Sequence, residues 1–322
     1  MSPEARRRTI ALRLALLAAL AVVALVLFMT LGARGNWSFV LPFRGAKLLG
    51  LVLVAGSIAI STVMFQTITG NRILTPSIMG FDSLYMLIQT ALVFALGAIH
   101  VSALDARILF LAEVALMLVF AGLLYRWLFG ATVRSLHLLL LVGIVFGVFF
   151  RSVSGFLQRI LDPTEFMILQ DRLFASFNSI DQTLLAIACV IVAVACLAAW
   201  RIMPVLDVMA LGREQAIALG VEHRRYVMIV LAVVTVLVAV STALVGPVAF
   251  FGLLVANLAY LLMPTARHAV LLPAAALLGV IFLVGGQVIL ERVFAFDTAL
   301  SVVIEFVGGI VFIILVLRGA AR

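Results

Sequence analysis

Three ionisable residues stand inside long apolar stretches of this chain, where a charge is costly: Glu113, Arg151 and Glu305. On insertion scales a charge at the centre of a bilayer costs about 2.5–3.5 kcal/mol, so such residues often mark pathways for protons or ions. The structural interpretation, which we favour, is a glutamate that bonds to a neighbouring helix or lies nearer the membrane interface. A self-contained secondary transporter, coupled to protons or sodium through Glu113 or Glu305, is kept as the alternative function.

The sequence offers little for covalent or metal chemistry. It contains no G-x-x-x-x-G-K-[ST] loop that would hold nucleotide phosphates. Its four histidines are dispersed near the ends of predicted helices, outside any metal-ligand spacing. Cys189 and Cys196 lie on one face of a predicted helix, which is typical of packing residues rather than of a metal site or a disulfide. We therefore predict that the chain is not an enzyme and binds no metal or cofactor itself.

The elements that carry these residues are predicted to be membrane helices. The chain is 66% hydrophobic and 11% charged, with a mean hydropathy of +1.32, whereas a soluble domain carries about 25% charged residues. Ten apolar runs follow one another, and a membrane span needs about 20 such residues. We predict helices at 10–32, 47–68, 76–99, 107–129, 136–158, 182–203, 225–245, 247–262, 269–292 and 300–318. The expected fold is an all-α integral membrane protein with a single transmembrane domain, 1–322.

The distribution of basic residues predicts the topology. Arg6, Arg7 and Arg8 precede a first apolar run that is longer than the roughly 7–15 residues of a signal peptide, so we interpret it as a retained helix. Ten spans place both termini on one side. With cytoplasmic termini, most of the 22 Arg and Lys residues fall inside. The net charge of +8 is largely this signal and requires no nucleic-acid partner; the lipid bilayer is the expected surrounding.

The stretch 44–80 contains a basic pair, a helix rich in small residues and a polar bend. Small residues allow helices to pack closely in a membrane. A polar helix end followed by proline and glycine predicts a bent junction before the next helix. The residues that mark this stretch are Arg44, Lys47, Gln66, Asn71, Pro76 and Gly80.

The segment 204–222 is the longest polar loop that the predicted topology places inside. It is predicted to form two short helices, stopped by Leu211-Gly212 and by Leu219-Gly220, because glycine adopts the left-handed conformation that ends a helix. On the residue pattern alone, an ordinary helical loop is also possible.

The third distinctive stretch is 243–264. It has a glycine on each side of a phenylalanine, and an asparagine follows five residues after the second glycine. Its markers are Gly246, Phe250, Gly252, Leu253 and Asn257, and they are followed near the C-terminus by Arg292 and the pair Gly308-Gly309.

Together these stretches resemble the iron-chelate and cobalamin permease family of ABC importers over nearly the whole chain. The family carries Asn-Pro-x-Ala-x-Pro-x-x-x-Gly at the bend, where this chain has Arg72 for the first proline and Leu74 for the alanine. It later carries Gly-Pro/Ile-x-x-Phe-x-Gly-Leu-x-x-Pro-His/Asn-x-x-Arg, where this chain has Ala256 for the proline and Tyr260 for the arginine. These departures are typical of siderophore permeases that pair with a different, second permease subunit.

The resemblance implies a type II ABC importer permease in the bacterial cytoplasmic (inner) membrane, which translocates a ferric siderophore or similar iron chelate. It implies a homodimer or heterodimer of permeases, ABC ATPase subunits that hold ATP-Mg, and a periplasmic or lipid-anchored binding protein. The coupling segment that contacts the ATPase would include Leu211, Gly212, Arg213, Ala216, Leu219, Gly220 and Val221. The translocation pathway would include Gln66, Asn71, Pro76, Gly80 and Asn257. Docking of the binding protein would involve Arg44, Lys47 and Arg292.

The segment 158–181 predicts an amphipathic helix at the outer surface. Asp162, Pro163 and Glu165 form a helix start, with a cap, a proline at the first position and a carboxylate at the third. The helix either anchors the chain to the membrane surface or forms a rim around the substrate entrance, and the pattern favours neither.

Overall fold

The chain folds into a bundle of helices in this computed structural model, which describes residues 3–32, 37–130, 136–177, 181–292 and 300–320. Within these ranges thirteen α-helices follow one another, and a short 3-10 helix, Pro76–Met79, precedes the third. They are α1 (Pro3–Thr30), α2 (Trp37–Thr69), α3 (Phe81–Leu96), α4 (Ala98–Ala103), α5 (Ala106–Gly130), α6 (Leu136–Ile160), α7 (Pro163–Leu173), α8 (Gln182–Met209), α9 (Arg213–Ala218), α10 (His223–Val245), α11 (Phe251–Leu262), α12 (His268–Arg292) and α13 (Leu300–Ala320).

The predicted apolar segments are all found as helices. Seven helices in the described ranges are long and apolar enough to cross a membrane, and α3, α11 and the Leu300–Ile310 part of α13 are shorter apolar helices. The predicted fold class is confirmed. α3 has only 16 residues because the 3-10 helix and Gly80 take up the start of the predicted 76–99 helix.

Helices α2 and α10 form the centre of the bundle. In each of these two helices, 67% of an 18-residue apolar stretch is buried inside the bundle, against 17% for α1 and 28% for α6 and α8. A helix that is apolar on all sides is stable either in a core or against lipid. Helices α2 and α12 approach closely at one glycine: a Cβ on Gly279 of α12 would lie 3.0 Å from the carbonyl oxygen of Ala55 in α2.

Arginine side chains tie down the helix ends at both faces of the bundle. The last carbonyls of a helix have no partner within it, and basic side chains near the terminus satisfy them. Nε of Arg6 donates to the carbonyl oxygen of Pro264 at 2.8 Å, and Arg13 donates to that of Leu262. We call this the α9 end of the bundle, defined by Arg6, α9 and Pro264, and the opposite face the α7 end.

The helix at the α7 end begins as the sequence predicts. Oδ1 of Asp162 accepts from the backbone N–H of Thr164 at 3.0 Å, and Pro163 occupies the first helical turn. Leu169 of α7 is fully buried in a small cluster with residues of α3 and α4, including Val93. α7 therefore packs on the bundle, and its role as anchor or rim stays a prediction.

Helix α8 has an equally defined start. Oδ1 of Asp181 accepts from the N–H groups of Leu184 and Thr183, at 3.1 and 2.7 Å. These backbone donors hold the pKa of the Asp181 carboxyl below its usual value.

Candidate functional site

The polar residues predicted to line the pathway meet at the loop that follows α2. Gln66 donates to the carbonyl oxygen of Arg72 at 2.7 Å, and Asn257 of α11 donates to the same oxygen at 3.1 Å. Oδ1 of Asn71 accepts from the N–H of Ile73 at 2.9 Å, which fixes the turn within the loop. Two residues near the end of α2, Gln66 and Asn71, and the distant Asn257 of α11 thus hold the bend that follows α2.

The two departures from the family pattern in this region contact each other. The guanidinium of Arg72, which stands in the place of a proline, lies over the ring of Tyr260, which stands in the place of an arginine. In this chain the guanidinium group of the pair therefore stands on the loop after α2, whereas the family pattern has it on α11.

Position 80 requires a glycine for two reasons, its left-handed backbone conformation and the close approach of the α6 backbone. It has φ +87° and ψ +9°, a left-handed conformation that ends the 3-10 helix begun by Pro76 and starts α3. A Cβ there would lie 3.1 Å from the carbonyl oxygen of Gly143 in α6, and a Cβ on Gly143 would lie 2.8 Å from Cα of Met79. The backbones of α6 and the 3-10 helix therefore touch.

This contact includes residues that the sequence analysis missed. Gly143 and Gly147 form a G-x-x-x-G pair in an apolar helix, which is the ordinary signal for close helix approach in membranes. Their partner is the Pro76–Gly80 motif itself.

The glycine-containing motif at the start of α11 also depends on close packing and on backbone conformation. A Cβ on Gly252 would collide with Oγ1 of Thr62 in α2, so glycine lets α11 pack closely there. Leu253 is 5% exposed and belongs to the packed side of α11. Phe250 has φ +57°, a strained conformation for a bulky residue, although its side chain is 48% exposed. Next to it, a Cβ on Gly308 of α13 would be 3.5 Å from Cβ of Phe250.

The predicted coupling segment contains one short helix rather than two. The first predicted helix, ending at Leu211-Gly212, is wrong: α8 continues unbroken through Pro204 to Met209, because Leu206 and Met209 still pack into the core. The second is found as α9. Gly220, which follows α9, has φ +84°, as predicted for a glycine that ends a helix. Gly212 has φ +105° and ψ +163° and precedes α9, so it does not end a helix as predicted.

The residues of the coupling segment divide into a packed side and an exposed side. Ala216 is fully buried, and its carbonyl oxygen accepts from the N–H of Val221 at 3.0 Å. Leu211 and Leu219 are 59% and 62% exposed. Beside α9, a groove of about 920 Å³ runs between the end of α2 and the start of α10, with Arg213 on its lining. The exposed leucines and this groove form a surface at the α9 end.

A polar network next to this segment was missed in the sequence. His268, which is 2% exposed, bonds through Nδ1 to Oδ1 of Asp207 and through Nε2 to Oγ1 of Thr67, both at 2.7 Å. The same Asp207 oxygen accepts from the backbone N–H of His268 at 2.7 Å and so caps α12 from another helix. The last turn of α8, the start of α12 and the end of α2 are thereby linked just before α9.

Comparison with known proteins identifies the family of this arrangement. The model of the FecCD transport family matches residues 9–318. This chain belongs to the FecCD transport family.

Individual relatives agree with that assignment. The chain is 47% identical to the petrobactin import system permease protein YclO of Bacillus subtilis (strain 168), over 95% of this chain and 97% of that one. It is 37% identical to the petrobactin import system permease protein FatC of Bacillus anthracis, over 86% of this chain and 78% of that one. Its fold matches a solved inward-facing metal-chelate type ABC transporter with a TM-score of 0.84 and 22% identity, covering 96% of this chain and 99% of the other.

The basic residues of this FecCD chain that were assigned to docking lie together at the α7 end. Nζ of Lys47 is 2.5 Å from Oε1 of Glu291, and both side chains are nearly buried. Arg44 donates to the carbonyl oxygen of Leu31 at 2.8 Å, and Arg292 donates to the same oxygen. The cluster fastens the end of α1 to α2 and α12.

The two carboxylates considered for ion coupling lie in different surroundings. Glu113 is 2% exposed, and its Oε1 accepts from Nε2 of Gln89 on α3 at 2.7 Å. The favoured interpretation, a glutamate bonded to a neighbouring helix, is confirmed for Glu113. Glu305 is exposed on α13.

Proposed function

We propose that this chain is the membrane-spanning permease subunit of an ATP-driven importer, and that it carries a ferric siderophore of the petrobactin class. The observation that supports this substrate is the 47% identity to a petrobactin import permease along almost the whole chain. The permease performs no covalent chemistry; it offers the chelate access to one side of the membrane and then the other.

The proposal includes partners that supply energy and substrate. ABC ATPase subunits hold ATP-Mg, since the sequence has no phosphate-binding loop of its own. A second, different permease subunit completes the pathway, and a periplasmic or lipid-anchored protein delivers the chelate. ATP binding moves the access equilibrium only if the ATPase contacts the two states differently. We assign that contact to the segment 204–222, and the access change to the bend at Gln66, Asn71 and Asn257.

The orientation that fits this assignment has both termini in the cytoplasm, with the α9 end inside. Support comes from the excess of basic residues predicted for that side. A single cysteine at Glu4 or at Thr164, in a background without Cys189 and Cys196, tests it. An impermeant thiol reagent should label position 164 in intact cells and should leave position 4 unlabelled. The reverse pattern would invert the orientation.

Docking of the binding protein is proposed at the basic cluster of the α7 end. Arg44 and Arg292 would meet acidic groups of the partner, while Lys47 positions the cluster through Glu291. Rim charges mainly change association rate and its salt dependence. Arg292→Glu should weaken association most at low salt, and Arg159→Glu, an exposed position at the same end, serves as the control. Equal effects of both substitutions would leave Arg292 without a special role.

Transport itself is tested in proteoliposomes that contain the permease pair and the ATPase. Uptake of ferric petrobactin should require the loaded binding protein and ATP, and should stop with vanadate. It should persist when an uncoupler collapses the proton gradient. Collapse by the uncoupler together with indifference to vanadate would instead favour the secondary carrier that uses Glu113 or Glu305.

A further inference from the structure

A half-open cavity of about 420 Å³ lies at the α9 end of the bundle, between the start of α1, the end of α2, the end of α11 and the start of α12. It adjoins the groove beside α9, with which it shares Thr67, Gly70 and Ala210. Its polar lining consists of Arg6, Gln66, Thr67, Arg72, Tyr260, Thr265 and His268.

The lining is positively charged. It holds the guanidinium groups of Arg6 and Arg72, and among the described residues that line it none is a carboxylate. Asp207 is hydrogen bonded to His268 behind this lining. Guanidinium groups bind phosphate through paired, charge-assisted hydrogen bonds. Arg72 is held in place by the Tyr260 ring, which reduces the entropy lost when it binds a ligand.

Apolar surface continues from the cavity along the outside of the bundle. Arg13 donates to the Leu262 carbonyl, so this part of α1 lies beside the end of α11. Leu12 and Leu16 of α1 are 72% and 59% exposed, and Leu261 of α11 is 61% exposed. Acyl chains can lie on such a surface, whereas a free phosphate has no apolar part that would contact it.

We propose that this cavity binds the headgroup of an anionic phospholipid such as phosphatidylglycerol. Arg6 and Arg72 bind the phosphate diester, and the acyl chains follow α1 and α11. Basic pockets between membrane helices recognise anionic lipids in this way. The proposal does not depend on which substrate the permease carries.

The test measures the thermal unfolding of the assembled importer in nanodiscs of phosphatidylcholine, with and without added phosphatidylglycerol. A ligand that binds the folded state raises the unfolding temperature in a saturable manner. Phosphatidylglycerol should therefore stabilise the wild type. Arg72→Gln and Arg6→Gln should each lose most of that shift. Arg7→Gln, an exposed neighbour outside the cavity, should keep it.

Two comparisons decide the outcome. The shift is compared for each variant against its own unfolding temperature in pure phosphatidylcholine, so that a general loss of stability does not count. Inorganic phosphate and glycerol 1-phosphate are added to the wild type as free sources of the same chemistry. Equal shifts in Arg72→Gln and Arg7→Gln, or a full shift with the soluble phosphates, would overturn the proposal.

Discussion

The guanidinium of Arg72 lies over the ring of Tyr260, with its central carbon 4.5 Å from the ring centre. In the family pattern these two positions carry proline and arginine. In this chain the positive charge therefore stands on the loop after α2 rather than on α11, and it contacts the residue at the family's arginine position. An aromatic ring now occupies the former arginine position and stabilises the displaced charge, by about 0.5–2 kcal/mol for a cation over a ring.

This exchange predicts that the two positions depend on each other. Arg72→Pro alone should lower chelate uptake several-fold, because the bend loses its guanidinium. The double variant Arg72→Pro/Tyr260→Arg restores the family pattern and should recover most of the uptake. Uptake in proteoliposomes checks both. Additive losses in the double variant would show that the two sites act separately.

Gly220 is the sharpest target in the coupling segment. At φ +84° a β-branched residue is strained by about 1–3 kcal/mol, so Gly220→Val should distort the turn after α9. We expect binding-protein stimulation of the ATPase and chelate uptake to fall by about tenfold, the equivalent of about 1.4 kcal/mol. Gly220→Asn is the matched control, because Asn tolerates the left-handed conformation. Normal coupling in the valine variant would remove this turn from the mechanism.

Ala216→Glu should produce the same uncoupling by a different cause. Ala216 is fully buried against its own chain, so a carboxylate there would need to be desolvated or to push α9 out of place. Membrane insertion should be preserved, since the spans are unchanged. Pull-down of the ATPase, measured with uptake, separates loss of docking from loss of coupling.

The bond between Asp207 and His268 is expected to transmit force between α8 and α12. Asp207→Ala leaves the buried imidazole and backbone N–H of His268 without their acceptor, which costs about 1–3 kcal/mol. It should weaken the link between ATP hydrolysis and uptake as well as stability. Asp181→Ala removes a capping carboxylate from the other end of the same helix and should affect stability alone. If both variants stay fully coupled, the network is structural only.

The contact between Gly143 and Met79 predicts a cost for the smallest added side chain. Gly143→Ala brings a Cβ within 2.8 Å of the Met79 Cα, and overpacking of this kind costs about 1–3 kcal/mol. Gly155→Ala on the same helix meets nothing within 4 Å and is the control. Thermal unfolding in detergent should separate them; equal unfolding temperatures would contradict the close approach.

Much of the architecture could be predicted from the sequence because hydrophobic runs and arginine bias are local signals. The glycine motifs could also be predicted, because a backbone position with positive φ favours glycine, as at Gly80 and Gly220. The link from Thr67 through His268 to Asp207 could not be found, because it joins three helices whose proximity no local pattern encodes. The basic residues Arg44 and Lys47 were recognised by charge, but their carbonyl and carboxylate partners depend on tertiary packing.

Helix α8 has 28 residues and continues without a break from its Asp181 cap to the last turn before α9. At 1.5 Å per residue it is a rod of about 42 Å, so a tilt of about 5° about one end moves the other by about 4 Å. A helix of this length converts a small rotation at its Asp181 end into a displacement comparable to the thickness of a side chain beside α9. The same geometry works in reverse, so a shift of that size beside α9 corresponds to an equally small tilt of the helix about its Asp181 end.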